Sequence, residues 1–345
     1  MKAAVLRGKL SISVEELPTP EVGPGDILLR VKAASICGTD VRMYKNGRAG
    51  IDAEHPMVLG HEFAGVIEEV GSEVRGFAPG QRISVAPNIG CGTCDCCASG
   101  QTNACAEYQA FGIHIPGGFA EYVRIPAKAV QQGNVLALPE DADFAQAALV
   151  EPLACVYNGQ RRMGAIPGAT VLIIGAGPIG IMHALLARTL GASRVFMNDL
   201  NHERLSLAVQ VAPFVEPLGD NILESLSTQG LSGVDACIIA APAPSAQAAS
   251  LEYMNINGKL LFFGGLPAGR ETVPINTNLI HYRQLSIFGC TGQSITDYRA
   301  CSKLVSSGVI DLSGIITSRA PIDDFVEQMQ QAAVGEGLKH VIEFA

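Results

Sequence analysis

The chain has 345 residues, 48% of them apolar and 17% charged, and a net charge of -9 with no clustered run of Lys and Arg. That length exceeds what one hydrophobic core fills, so two domains are expected, and the acidic balance disfavours nucleic acid as a partner because phosphate neutralisation needs clustered cations. No uncharged apolar run is long enough to span a membrane, and the beginning lacks the basic, apolar and small-residue regions of a signal peptide, so a cytoplasmic location is the expectation.

Taken in chain order, "MKAAVLRGKLSISVEELPTP" alternates like a strand pair, and "VGPGDILLRVKAAS" follows a turn with another strand. "SICGTDVRMYKNG" then brings Cys37, and "VLGHEFAG" brings His61 and Glu62. Next, "CGTCDCCASGQTNAC" packs five of the 10 cysteines into one short stretch. Cys91, Cys94, Cys97 and Cys105 have the spacing C-x2-C-x2-C-x7-C, in which four thiolates surround one tetrahedral zinc at about 2.3 Å and leave no position open. A reducing compartment disfavours disulfides there. Cys96, the fifth thiol, reads as a bystander. The strand-like "GFAEYVRIP" and the segment "LVEPLACVYNG" with Glu151 close this mainly β half. Singly, Cys37, His61, Glu62 and Glu151 have ordinary readings as core or capping residues. Together they offer the thiolate, imidazole and carboxylate that a catalytic zinc draws from separate segments while keeping one position open.

From about Ala154 the pattern changes to buried strands alternating with helices, which predicts a doubly wound parallel sheet. "VLIIGAGPIG" is a strand followed by G-x-G-x-x-G at Gly175, Gly177 and Gly180, with Pro178 and Ile179 opening the helix "PIGIMHALLARTLG". Such a turn brings a pyrophosphate to backbone N–H groups at a helix N-terminus, the signature of a Rossmann dinucleotide site. Asp199 ends "RVFMND", where a carboxylate accepts ribose hydroxyls and repels a 2′-phosphate, so NAD is favoured over NADP; the competing role is a cap on the helix beginning "NHERL". Arg204 in that helix lies beside the adenine or pairs with Asp199. "GKLLFFGG" ends at Gly264 and Gly265, a candidate approach to the nicotinamide half or a turn only. The last fifty or so residues carry two amphipathic helices and a short strand.

"CGTD", "GHE", the four-cysteine lobe and "GAGPIG", in that order along essentially the whole chain, resemble the zinc-dependent medium-chain alcohol dehydrogenase family. "EPLACV" is similar to its sorbitol (polyol) dehydrogenase branch. The resemblance implies a β-rich GroES-like catalytic domain, 1-152 and 290-345, with a structural zinc lobe at 88-106, around a Rossmann NAD-binding domain at 153-289. It implies two zinc ions per chain. Cys37 and His61 become ligands of the catalytic one, Glu62 and Glu151 bind it directly, alternately or through water, and Asp40 orients His61. Thr39 matches the family's hydroxyl beside the metal, which takes the alcohol proton, whereas Arg42 stands where a relay His is common and cannot be deprotonated. The Arg-Tyr pair of polyol dehydrogenases has no counterpart in "FGCTGQSITDYR".

The implied reaction is hydride transfer from a secondary alcohol, a polyol or related sugar derivative, to NAD in a homodimer or homotetramer. The alternatives are a threonine-type or simple-alcohol dehydrogenase. A non-catalytic NAD-binding sensor would show a broken ligand set, and Cys37, His61 and Glu151 are all present.

Overall fold

The computed structural model describes residues 1–164 and 167–345. They form two compact units, Met1–Ala154 with Gln293–Ala345, and Cys155–Gly292.

The first unit is built on a seven-stranded sheet. Its central strand, Ile27–Ser35, pairs antiparallel with Glu62–Val70 on one side and with Lys339–Glu343 on the other. Apolar residues of these strands, among them Ile27, Leu29, Val31, Phe63 and Ile342, fill a core closed by Phe111, Phe119 and Phe325. The pairing puts Ser35 opposite both Glu62 and Val341. The end of one strand and the beginnings of its two neighbours therefore meet at one edge of the sheet. A hairpin of Lys2–Gly8 with Ser11–Glu16 belongs to a separate small sheet.

Two elements of this unit differ from the sequence expectation. A helix, Gly38–Asn46, begins directly after Cys37, where only a metal ligand was legible. It starts there because the Asp40 carboxylate reaches back to the Cys37 backbone N–H at 2.9 Å and satisfies one of the donors that a helix start leaves open. The tail also holds an extra strand, Ile316–Pro321, parallel to Lys339–Glu343, between the two expected helices Ile295–Ser306 and Phe325–Val334.

In the second unit six strands form one wholly parallel sheet, the doubly wound arrangement expected from the strand and helix alternation. Its first strand, Thr170–Ile174, lies between Arg194–Asn198 and Val234–Ile239, so chain order reverses at its carboxyl end. Ligands of such sheets bind at that reversal. Gly175 follows with φ of 112°, and the helix Pro178–Thr189 starts on a proline at its first position, where the missing N–H costs nothing. A side-chain carbon on Gly180 would sit 1.8 Å from the Gly175 carbonyl oxygen, so only glycine lets helix and strand approach this closely.

Gly180→Ala should therefore push the helix off the strand and cost about 1–3 kcal/mol of stability. Calorimetry should show the thermal midpoint several degrees lower; an unchanged midpoint would mean that the helix shifts freely.

Candidate metal centre and dinucleotide loop

The strand junction of the first unit gathers Cys37, His61 and Glu62, whose ligand atoms lie within 4.8 Å of one another. Each arrives on a different backbone feature. Cys37 precedes the helix Gly38–Asn46, His61 precedes the strand Glu62–Val70, and Glu62 opens that strand. His61 and Glu62 are buried. Asp40 Oδ1 stands 3.6 Å from His61 Nδ1, and neither atom has another hydrogen-bond partner among the described residues. With Asp40 on the Nδ1 side of the ring, Nε2 is the nitrogen that would serve a metal. Burial alone would depress the imidazole pKa, but Cys37 and then Asp40 overcome it and hold the ring well above its ordinary value. A divalent cation satisfies the same anionic neighbours that a ring proton would, so the donor set fits zinc.

Lys339, the first residue of its strand, lies beside them. Its ammonium donates to both Glu62 carboxylate oxygens, at 2.7 and 2.5 Å, and to the Ile36 carbonyl at 3.2 Å. Both partners are almost wholly shielded from solvent. Burial lowers the Lys339 pKa, and Glu62, Cys37 and Glu151 more than restore it, so the net direction is upward. Sequence reading missed this residue. Glu151, on the helix Val150–Met163, is buried and close enough to act electrostatically on Lys339 and Tyr298, but it is not one of the three groups within mutual ligand distance. Thr39 sits in the first turn of its helix, and its Oγ1 accepts a 2.8 Å hydrogen bond from Arg42 Nη2.

The second metal group is Cys91, Cys94, Cys97 and Cys105, again within 4.8 Å of one another, with Cys96 outside it. Backbone N–H groups of Thr93 and Cys94 donate to Cys91 Sγ at 3.4 and 3.3 Å and bring its thiol down to about 6. The Cys91 N–H donates to Cys105 Sγ at 3.2 Å. A turn that aims amide protons at sulfur favours thiolates, which are the form that binds metal. Gly90 makes room for the cluster, because a Cβ there would stand 2.5 Å from Cys97 Sγ. Four convergent sulfurs suit a closed structural zinc.

In the second unit Gly177 has no atom within 4 Å of where its Cβ would point, an open space of the kind a phosphate needs beside the N-terminus of the helix carrying Pro178 and Ile179. Asp199 Oδ2 accepts from the Ala176 N–H at 2.7 Å, and Oδ1 from the Asn201 N–H at 2.8 Å. The carboxylate is thus tied to the glycine loop. Capping of the next helix, His202–Val211, falls to Asn201, which accepts from the Arg204 N–H. Each Asp199 oxygen keeps a lone pair for a ribose hydroxyl. Gly264 is required by packing: a Cβ there would lie 2.8 Å from the Ala241 carbonyl, whereas Gly265 has open space around it.

Two family models match the chain, an alcohol dehydrogenase GroES-like domain over residues 23–137 and a zinc-binding dehydrogenase domain over residues 178–307. An L-threonine 3-dehydrogenase of Rhizobium etli (strain CIAT 652) is 34% identical, with 100% of this chain and 99% of that protein covered. The sorbitol dehydrogenase of Bacillus subtilis (strain 168) is 32% identical, over 96% of this chain and 93% of its own. The crystal structure of a zinc-binding dehydrogenase from Sinorhizobium meliloti 1021 bound to NADP matches with a TM-score of 0.90 at 33% identity, covering 99% of both chains.

Removing the Lys339 ammonium strands a buried carboxylate, a change that costs about 3–5 kcal/mol. Lys339→Met should show that loss in denaturant unfolding, and Glu62→Gln in the same background should recover part of it. Parent-like stability of Lys339→Met would show that Glu62 draws its compensation elsewhere.

Proposed function

Because the chain belongs to the zinc-dependent medium-chain alcohol dehydrogenase family, we propose that it oxidises a small secondary alcohol with polar groups on the adjoining carbons. The product is the ketone, and hydride passes to a nicotinamide dinucleotide. The observation that carries this reading is the meeting of Cys37, His61 and Glu62 at a buried strand junction, with Thr39 two residues beyond Cys37.

Cys37, His61 and a carboxylate would hold the zinc, which would supply the lowering of an alcohol hydroxyl's pKa and the polarisation of its oxygen. The chain's own residues do the rest. Asp40, on the Nδ1 side of His61, favours a proton on that nitrogen and so Nε2 as the one that would bind. Lys339 grips both Glu62 oxygens, so Glu62 would reach a metal only in competition with that ammonium, and Glu151 is a second buried carboxylate near it. Thr39 Oγ1 takes the alcohol proton on the lone pair that Arg42 does not use, and its own proton moves on to water or a ribose hydroxyl, because Arg42 accepts none. Electrons leave the substrate carbon as hydride while the proton leaves through Thr39, so the oxidation balances. The four-thiolate zinc stiffens its lobe and takes no part in the chemistry.

For the substrate, the relatives named for L-threonine support a hydroxy amino acid ahead of the polyol that "EPLACV" first suggested. The sorbitol dehydrogenase relative and the buried Glu151 carboxylate favour the polyol as second reading. For the cofactor, Asp199 supports NAD. A 2′-phosphate about 4 Å from it would be repelled by roughly 1 kcal/mol in water and several times that near a protein surface, even though the Sinorhizobium relative binds NADP.

NADH formation at alkaline pH, measured across L-threonine, sorbitol and simple secondary alcohols with both dinucleotides, tests the reading. L-Threonine should be turned over with the highest kcat/KM, and NAD should be preferred to NADP by about tenfold or more. Dinucleotide binding without turnover of any alcohol would contradict it.

A further inference from the structure

Arg42 stands where a proton-relay group was expected, and its placement gives it different work. It is exposed and lies three residues after Thr39 on the helix that Cys37 starts. Only its Nη2 is engaged, on Thr39 Oγ1 at 2.8 Å. Among the described residues no carboxylate pairs with it, in a chain whose net charge is -9. The neighbouring cations are committed. Lys45 donates to the Ala333 carbonyl, Arg48 approaches Met43 Sδ, and Lys339 is buried against Glu62. Arg42 is therefore an unneutralised guanidinium held one hydrogen bond away from the hydroxyl that receives the alcohol proton.

A guanidinium presents five N–H donors in a rigid fork that matches a pair of anionic oxygens. One anchored through a single nitrogen has the rest of the fork to offer. A substrate oxygen bonded to Thr39 Oγ1 stands at most about 5.5 Å from Arg42 Nη2, and a third hydrogen bond folded back from the guanidinium closes a ring onto a carboxylate one or two carbons from the reacting centre. We propose that Arg42 is the anion receptor of this active centre, and that its ligand is the carboxylate of a β-hydroxy acid or β-hydroxy amino acid substrate. The inference rests on the dehydrogenase reading above and narrows its substrate class, since a neutral polyol leaves the fork unused. The pyrophosphate of the dinucleotide has the same chemistry and is the other possible source of the anion.

Matched substrates separate these sources. L-Threonine and L-threoninamide share the secondary alcohol and the amine and differ in the charge; 3-hydroxybutanoate and its amide repeat the comparison without the amine. In the zinc-loaded parent the acids should exceed the amides in kcat/KM by about tenfold or more, mostly through KM, and Arg42→Met should lower kcat/KM for the acids by about ten- to a hundredfold. The amides should change less than about threefold, Arg42→Lys should retain part of the difference, and the dissociation constant of NADH, read by its fluorescence, should not move. Equal losses on acid and amide would overturn the proposal and reduce Arg42 to a support for Thr39. Weakened NADH binding with unchanged acid preference would assign the anion to the cofactor and overturn the substrate assignment. Turnover confined to neutral polyols would overturn it too, whereas no turnover of any alcohol is the separate failure of the dehydrogenase reading, and takes this inference with it.

Discussion

Burying a carboxylate is the constraint on which this site turns. Glu62 is removed from water at the mouth of a sheet, and an isolated ion in that position would cost many kcal/mol or be forced to take up a proton. Lys339 answers Glu62 with both oxygens in reach of one ammonium. That answer covers Glu62 alone. Asp40, wholly buried, is left to His61, and the Cys37 sulfur shares the same space. The acidic groups gathered here outnumber the one ammonium beside them, and a divalent metal would complete the balance.

The backbone delivers these groups without a dedicated loop. Three neighbouring strands start or stop close together at one end of the sheet, and a helix starts three residues after the central strand ends. Asp40 shows how closely structure and site are joined, because one of its oxygens starts the helix and the other faces the imidazole. The second unit solves a different problem with emptiness. Gly180 lets the helix approach the strand, Gly177 leaves room beside the helix N-terminus, and Asp199 is held in place by the amides it accepts.

What was legible in the sequence is what local spacing encodes. Four cysteines separated by two, two and seven residues can be read because their sulfurs converge within one short segment, and the glycine turn can be read because its three glycines stand at fixed spacing between a strand and a helix. The two sheets were legible through apolar alternation and through buried runs. Lys339 was not, because it pairs with Glu62 across 277 positions and looks in "GLKHVIEF" like the solvent side of a last strand. The strand Ile316–Pro321 escaped for a related reason: within the first unit it pairs only with Lys339–Glu343, a partner that lies beyond an intervening helix in the chain. Asp199 was readable as a ribose acceptor or a helix cap, and the cap of the following helix falls to Asn201.

The central claim is that the strand junction holds its own metal, distinct from the four-thiolate ion. Diffraction from crystals of the zinc-loaded protein, recorded on both sides of the zinc absorption edge, tests it most directly. The account predicts two anomalous peaks per chain. One should be surrounded by Cys91, Cys94, Cys97 and Cys105, and the other should lie at bonding distance, about 2.0–2.3 Å, from Cys37 Sγ and His61 Nε2. A single peak in the cysteine lobe, with the Cys37 and His61 side chains ordered and no ion between them, would contradict it.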